Sequence, residues 1–208
     1  DACALHRGTR VRKNHTSRRD AFETVGAAPL GLIDYERAAE AGAEGDAADA
    51  AVEWNREPRP RGGTDGSDAA DDGAVALAPD LDGDVELVKF TPGMDPAAWA
   101  YLDDKDGVVI EGTGLGHVHT DLIPRIEELV NGGTVVAMTS QCLDGRVCDR
   151  VYDTGRDLLD AGVVEAVDTL PGTAKVKLMW ALANRSDPAD AMTRDLAGEL
   201  TEESRPWR

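Results

Sequence analysis

A parallel β-sheet covered by helices on both faces is the fold class that residues 85–208 predict, on two observations. Short apolar, β-branched runs recur after Asp84 (VELVKF, GVVIEG, TVVAMTS, VVEA). Between and after them lie stretches of helical period (DPAAWAYLDD, HTDLIPRIEELVNG, VYDTGRDLLDAG, TAKVKLMWALAN). Continuous apolar runs mark strands buried on both faces, and the intervening helices supply the crossovers that parallel pairing needs. A compact α/β domain of four strands with right-handed crossovers follows. In the last helix the stripe Val176, Leu178, Met179 and Leu182 reads as core, with Trp180 at its edge.

Ahead of this domain the pattern changes. Residues 1–35 carry ALHRGTRVRK, the polar NHTSRRD and the small-apolar AFETVGAAPLGLID, which read as a strand, an ordered loop and a short helix or turn. Too few large apolar side chains occur there to close a core, so residues 1–74 read as part of a larger N-terminal domain. From Tyr35 to Ala74 the chain is rich in Ala, Gly, Asp and Glu. That stretch reads as hairpin remnants joined by a mobile loop, with the domain boundary inside it.

Charge narrows the functional classes. The 40 acidic and 22 basic residues give a formal net charge of −18, a surface that repels phosphates and argues against a broad nucleic-acid footprint on this chain. A partner subunit holding RNA stays open. The acidic excess does not form one tail and reads as adaptation to high salt, where dense carboxylates stay hydrated and screening relieves their repulsion. No window approaches the roughly 18–20 apolar residues of a membrane span, so a soluble, cytoplasmic chain with no membrane partner is expected. Cys3, Cys142 and Cys148 leave one thiol over after any pairing and form no C-x-x-C, so reduced thiols are expected. The sequence opens at Asp1 in a strand-like stretch without an apolar leader, and that start reads as cut.

Lys13 lies in LHRGTRVRKNHTSRRDAFETVGAAPLG, residues 5–31. By residue chemistry alone it is a solvated lysine on a basic strand. The segment's pattern, G-T-R-V-x-K-x-x-T-S-R-R-D-A-F, nevertheless resembles the one that carries the catalytic lysine in the asparaginase and glutaminase family. Two further blocks, GVVIEGTGLGHVHTDLIP (107–124) and TSQCLDGRVCDRVYDTGRDLLDAGVVEAVDTLPGTAKVKLMWALAN (139–184), narrow the resemblance to one branch. That branch comprises the asparaginase-like D subunits of the archaeal Glu-tRNA(Gln) amidotransferase. GTGLGHV and DTLPGTAKVKLMW favour it over a stand-alone cytosolic L-asparaginase, and the resemblance covers most of the chain apart from residues 62–84.

The resemblance implies an asparaginase-like fold, with residues 85–208 as its C-terminal α/β domain and residues 1–74 as the tail end of the N-terminal one. It also implies glutaminase chemistry. In the family two threonines supply the nucleophile and its activator, an aspartate orients, and the lysine relays the proton as amide attack releases ammonia through an acyl-enzyme. An amine can do this only where its neighbours favour the neutral form; Arg10 and Arg12 flank Lys13. The threonines and the aspartate are expected upstream of Asp1, so this chain alone is expected to be inactive. The substrate implied is glutamine or asparagine, and the assembly a dimer with an amidotransferase partner subunit. That partner uses ATP and magnesium to amidate Glu-tRNA(Gln), so tRNA is met only through it. No cofactor is expected in this chain. A non-catalytic interaction module is the alternative from another class.

The glycine-rich stretch Gly112–Gly116 could be taken for a dinucleotide-binding turn, but it is not G-x-G-x-x-G and no acidic residue ends the next strand. The resemblance assigns Gly114, Gly116 and His117 a different part, as a loop that contacts substrate or reaches a neighbouring subunit's active site. His117 and His119 form H-x-H, yet no histidine follows them, and a zinc site needs more ligands, so no metal is expected. Thr120 and Asp121 read as the N-cap of the helix that follows. Cys142 in TSQCLDG reads as structural or site-lining, and Thr64-Asp65, inside the acidic loop, imitates a family Gly-Thr-Asp motif without a rigid scaffold.

Overall fold

The computed structural model describes residues 2–41, 51–56, 77–148 and 150–202. Its centre is a parallel sheet of β6 (Val85–Lys89), β7 (Gly107–Gly112), β8 (Val135–Ser140) and β9 (Val164–Glu165), in that order. Before it come two small antiparallel units. One pairs β1 (Ala2–Leu5), β4 (Gly31–Asp34) and β5 (Val52–Trp54), with β4 in the middle. The other is the hairpin of β2 (Val11–Lys13) and β3 (Phe22–Thr24). The helices are α1 (Tyr35–Ala41), α2 (Ile123–Asn131), α3 (Asp153–Asp160), α4 (Pro171–Asn184) and α5 (Pro188–Thr193).

Alternate residues of each parallel strand face opposite sides, so each side carries its own core. On one face Val88, Val108, Ile110, Val136 and Met138 pack with Trp99, Leu102, Leu122, Ile126, Leu129 and Leu158. On the other, Val85, Val109 and Ala137 meet Ala174, Leu178 and Met192 from α4 and α5. The second face is built from smaller side chains, and α4 lies close: a Cβ at Gly107 would sit 2.7 Å from Leu178 Cδ2. Burying a side chain such as Leu178 or Ile126 contributes about 1.5–3 kcal/mol.

Over the described residues from Val85 onward, the strand-helix alternation is the architecture expected. Three local expectations differ. AFETVGAAPLGLID forms no helix: it holds β3, which closes a hairpin on β2, and β4, whose partners β1 and β5 lie some twenty residues to either side. DPAAWAYLDD forms a 3-10 helix, Pro96–Leu102, capped by the Asp95 side chain at the Ala97 N–H. Val176 is 56% exposed and lies outside the core that holds Leu178, with Met179 and Leu182 packed at its margin. The proposed linker falls largely on residues 42–50 and 57–76, which lie outside the described residues, as do Thr64 and Asp65.

Candidate active site

Lys13 ends β2 and pairs in register with Phe22 of β3. Its side chain is exposed, and its Nζ stands 5.9 Å from the centroid of the Phe22 ring. An ammonium over an exposed ring gains little, on the order of 0.5–1 kcal/mol. The segment is fixed from behind. Arg10, in the 3-10 turn Gly8–Arg10 just before β2, is buried and reaches the parallel-sheet domain. Its Nε donates to the Val25 carbonyl (2.9 Å), its Nη1 to the Glu199 carbonyl (2.7 Å), and its Nη2 stands 3.2 Å from Asp168 Oδ2. Arg10 therefore directs its charge to Asp168, whereas Arg12 is exposed.

Asp168 also accepts the Thr201 N–H (3.0 Å) and the Thr201 hydroxyl. A second buried pair continues the seam. Lys177 Nζ lies 2.7 Å from Glu199 Oε1, the two side chains being 4% and 2% exposed. Burial pushes Lys177 below the ordinary lysine range in spite of Glu199. Burial pushes Glu199 up, but the Lys177 ammonium and the N–H groups of Leu196 and Ala197 outweigh it, leaving its pKa below the usual carboxylate value.

The glycine-rich loop follows β7 at the carboxyl edge of the parallel sheet, where ligand sites of α/β folds gather. Thr113 and His117 form a bridge: the Thr113 N–H donates to the His117 carbonyl and the His117 N–H returns to the Thr113 carbonyl, both at 2.9 Å. Turning in so few residues requires the left-handed region, which Gly114 (φ 54°) and Gly116 (φ 103°) occupy. Gly116 has a second constraint, since a Cβ there would lie 2.8 Å from Val147 Cγ1. Below the loop, the Ser140 hydroxyl donates to the Gly114 carbonyl and the Gln141 side chain to the carbonyls of Phe90 and Glu111. His117 is half-buried, its ring in edge contact with Tyr152 at 5.3 Å, and its Nε2 is buried without a hydrogen bond.

Gly114, Gly116 and His117 are thus brought together in one loop. Among the described residues no hydrogen bond, ion pair or ring contact joins Lys13 to it. No group of three or more His, Cys, Asp or Glu among the described residues could hold a metal ion. His119 has another use: its Nδ1 accepts the Asp121 N–H (3.4 Å), so the cap comes from His119 and not from Thr120 or Asp121. Cys142 is exposed, and Thr139 is buried with its hydroxyl on the Ile110 carbonyl. Sequence reasoning missed Asp168, Lys177 and Glu199, and saw Arg10 only as a flank of Lys13. Arg10 and Asp168 are 158 residues apart, and no local pattern reports such a pair.

The family profile of the Glutaminase/Asparaginase C-terminal domain matches residues 84–193. Over its full span the chain is 65% identical to the D subunit of the glutamyl-tRNA(Gln) amidotransferase of Halobacterium salinarum, of which it covers 46%. With the corresponding D subunit of Haloquadratum walsbyi the identity is 58%, over 43% of that protein. The chain thus spans less than half the length of these relatives. The L-asparaginase of Thermococcus kodakarensis superposes with a TM-score of 0.78 at 28% identity, covering 96% of this chain and 56% of that one. The profile match over the parallel-sheet domain, with these full-span likenesses, makes this chain a member of the glutaminase/asparaginase family.

Proposed function

We propose that this chain is the C-terminal part of a glutaminase subunit that supplies ammonia to a Glu-tRNA(Gln) amidotransferase. The carrying observation is the 65% identity, along the whole chain, to a protein of that name. In this reading residues 1–74 belong to the larger N-terminal domain and residues 85–208 form the C-terminal one. Lys13 is the proton relay, and the threonines that attack the amide lie in the part of the subunit outside this chain. A threonine oxygen adds to the side-chain amide of glutamine, and the C–N bond breaks as the nitrogen takes a proton. Ammonia leaves, and water hydrolyses the acyl ester to glutamate. A partner subunit, using ATP and magnesium, activates the tRNA-bound glutamate that the ammonia amidates. Gly114, Gly116 and His117 form the loop that completes a site in a dimer. The acidic surface serves a cytoplasm of high salt, in keeping with relatives from Halobacterium and Haloquadratum.

The test uses the full-length subunit. Lys13→Ala should lower glutaminase turnover by orders of magnitude, the expected result of losing a proton-transfer group, while leaving the melting temperature in place because Lys13 is exposed. Near-normal turnover would remove Lys13 from the mechanism. Addition of the partner, ATP and Glu-tRNA(Gln) should then couple glutamine loss to Gln-tRNA(Gln) formation. A stand-alone L-asparaginase, the reading favoured by the Thermococcus kodakarensis likeness, would hydrolyse asparagine at full rate with no response to those additions.

A further inference from the structure

We infer that Arg10 is the positioning residue for Lys13, locking the lysine-bearing hairpin to the C-terminal domain through Asp168 and the Glu199 carbonyl. The inference rests on the reading of Lys13 as the proton relay. Lys13 has little of its own to fix it: an exposed side chain, a three-residue strand and a ring contact at 5.9 Å. Arg10 precedes it by three residues and is held from three directions. Val25 beyond β3, Asp168 in the turn between β9 and α4, and Glu199 in the C-terminal segment each take part of one guanidinium. The Arg10 carbonyl also accepts the Val25 N–H at 2.9 Å, so the hairpin closes on the same residue.

Two departures from ordinary backbone converge on this guanidinium. Gly26 has φ 65°, and a Cβ there would come within 2.5 Å of Arg10 Nη2, so only glycine leaves room for the group. Val167, next to Asp168, has φ 55°, an outlier for a β-branched residue, held by the Val147 N–H on its carbonyl at 2.9 Å. Glycine tolerates that backbone freely, so the strain beside the ion pair sits in Val167, while Gly26 supplies the space. The supports extend one step further, because Glu199 is itself fixed by Lys177 and Asp168 by Thr201.

The experiment measures kcat, KM and the rate-pH profile for glutamine in the full-length subunit. Its variants are Arg10→Lys, which keeps the charge and loses the fork, and Asp168→Asn. Thr201→Val is the mild version, since it removes one hydroxyl from Asp168 and disturbs folding least. Leu129→Ala, a change in the first core cluster that touches none of the seam's hydrogen bonds or ion pairs, controls for lost stability alone. A misplaced relay should lower kcat by about tenfold or more with KM little changed, and should move the limb of the rate-pH profile that Lys13→Ala abolishes. Thr201→Val should fall between Asp168→Asn and the unmodified subunit. Leu129→Ala should lower the melting temperature and leave kcat and the profile alone. If Lys13→Ala is inactive while the folded Arg10 and Asp168 variants, or Thr201→Val where those fail to fold, keep kcat and the profile, the positioning role is overturned and the relay stands. If Lys13→Ala is active, the relay reading falls and takes this inference with it.

Discussion

The parallel-sheet domain and the hairpin segment before it fold by different means. Both large apolar clusters are built wholly from residues between Val85 and Met192, and the strands of each face supply their own partners. Among the described residues, the segment before it buries small side chains, Ala21, Val25, Ala27, Pro29 and Ala51, plus one arginine. It is tied to the domain by Arg10 and also by Thr9, whose hydroxyl donates to the Ala197 carbonyl and whose carbonyl accepts from the Thr173 hydroxyl. The self-sufficient region is a frame, whereas the dependent one carries the lysine. On the proposed reading of Lys13 as a proton relay, a reactive group on a strand with no core of its own is positioned by polar contacts without altering the frame.

The seam is where this contrast breaks most readily. Glu199→Gln leaves Lys177 buried without its counter-charge and should cost about 3–5 kcal/mol near neutral pH, measured by chemical denaturation. The pH dependence has a definite sign. Glu199 has a lowered pKa in the folded chain, so its contribution is complete above the ordinary carboxylate range and is lost as pH falls through its folded value. The stability gap between the parent and Glu199→Gln should therefore narrow as the solution is acidified. A gap constant with pH would mean that the pair does not hold the C-terminal segment.

The frame should respond in the opposite way to the segment. Leu122→Ala, at a position with no exposure in the first core, should cost about 2–5 kcal/mol. Phe22→Ala, at a half-exposed hairpin position, should change global stability far less. Equal losses from the two would show that the hairpin shares the core.

That difference also explains what was legible. The strands of the frame are continuous β-branched runs, and each pairs with the next across one helix or loop, so VELVKF, GVVIEG and TVVAMTS identify themselves. AFETVGAAPLGLID does not, because β4 gains its identity from β1 and β5. Helical spacing placed Val176 in the core together with Leu178, but periodicity cannot tell which margin of a stripe meets solvent, and α4 faces the sheet with Leu178. The Gly114-Gly116-His117 loop was singled out by likeness to a family, and its glycines meet the left-handed turn found there. The Lys13 segment could be located only by its likeness to a family, since an exposed lysine on a short strand carries no signal of its chemistry.

Salt should separate the two regions by the smallest but most general effect. Residues 2–34 carry Arg7, Arg10, Arg12, Lys13, Arg18 and Arg19 against Asp20, Glu23 and Asp34, a net positive charge inside a chain of net charge −18. The acidic excess therefore lies in the rest of the chain, the frame included. At about 0.01 M salt the Debye length of roughly 30 Å lets the carboxylates of the frame repel one another, and at about 1 M it shrinks to roughly 3 Å. The melting temperature should rise between these conditions. The segment obeys the other sign, since its positive charges are attracted to the acidic frame and screening weakens that attraction. The buried Arg10–Asp168 contact, with side chains 3% and 1% exposed, should persist. Hydrogen exchange read at molar KCl should then show protection increasing in β7 and β8 without a matching increase in β2 and β3. A melting temperature indifferent to salt would remove electrostatic repulsion as a determinant of the frame, and parallel protection in both regions would show that the hairpin is bound by more than charge.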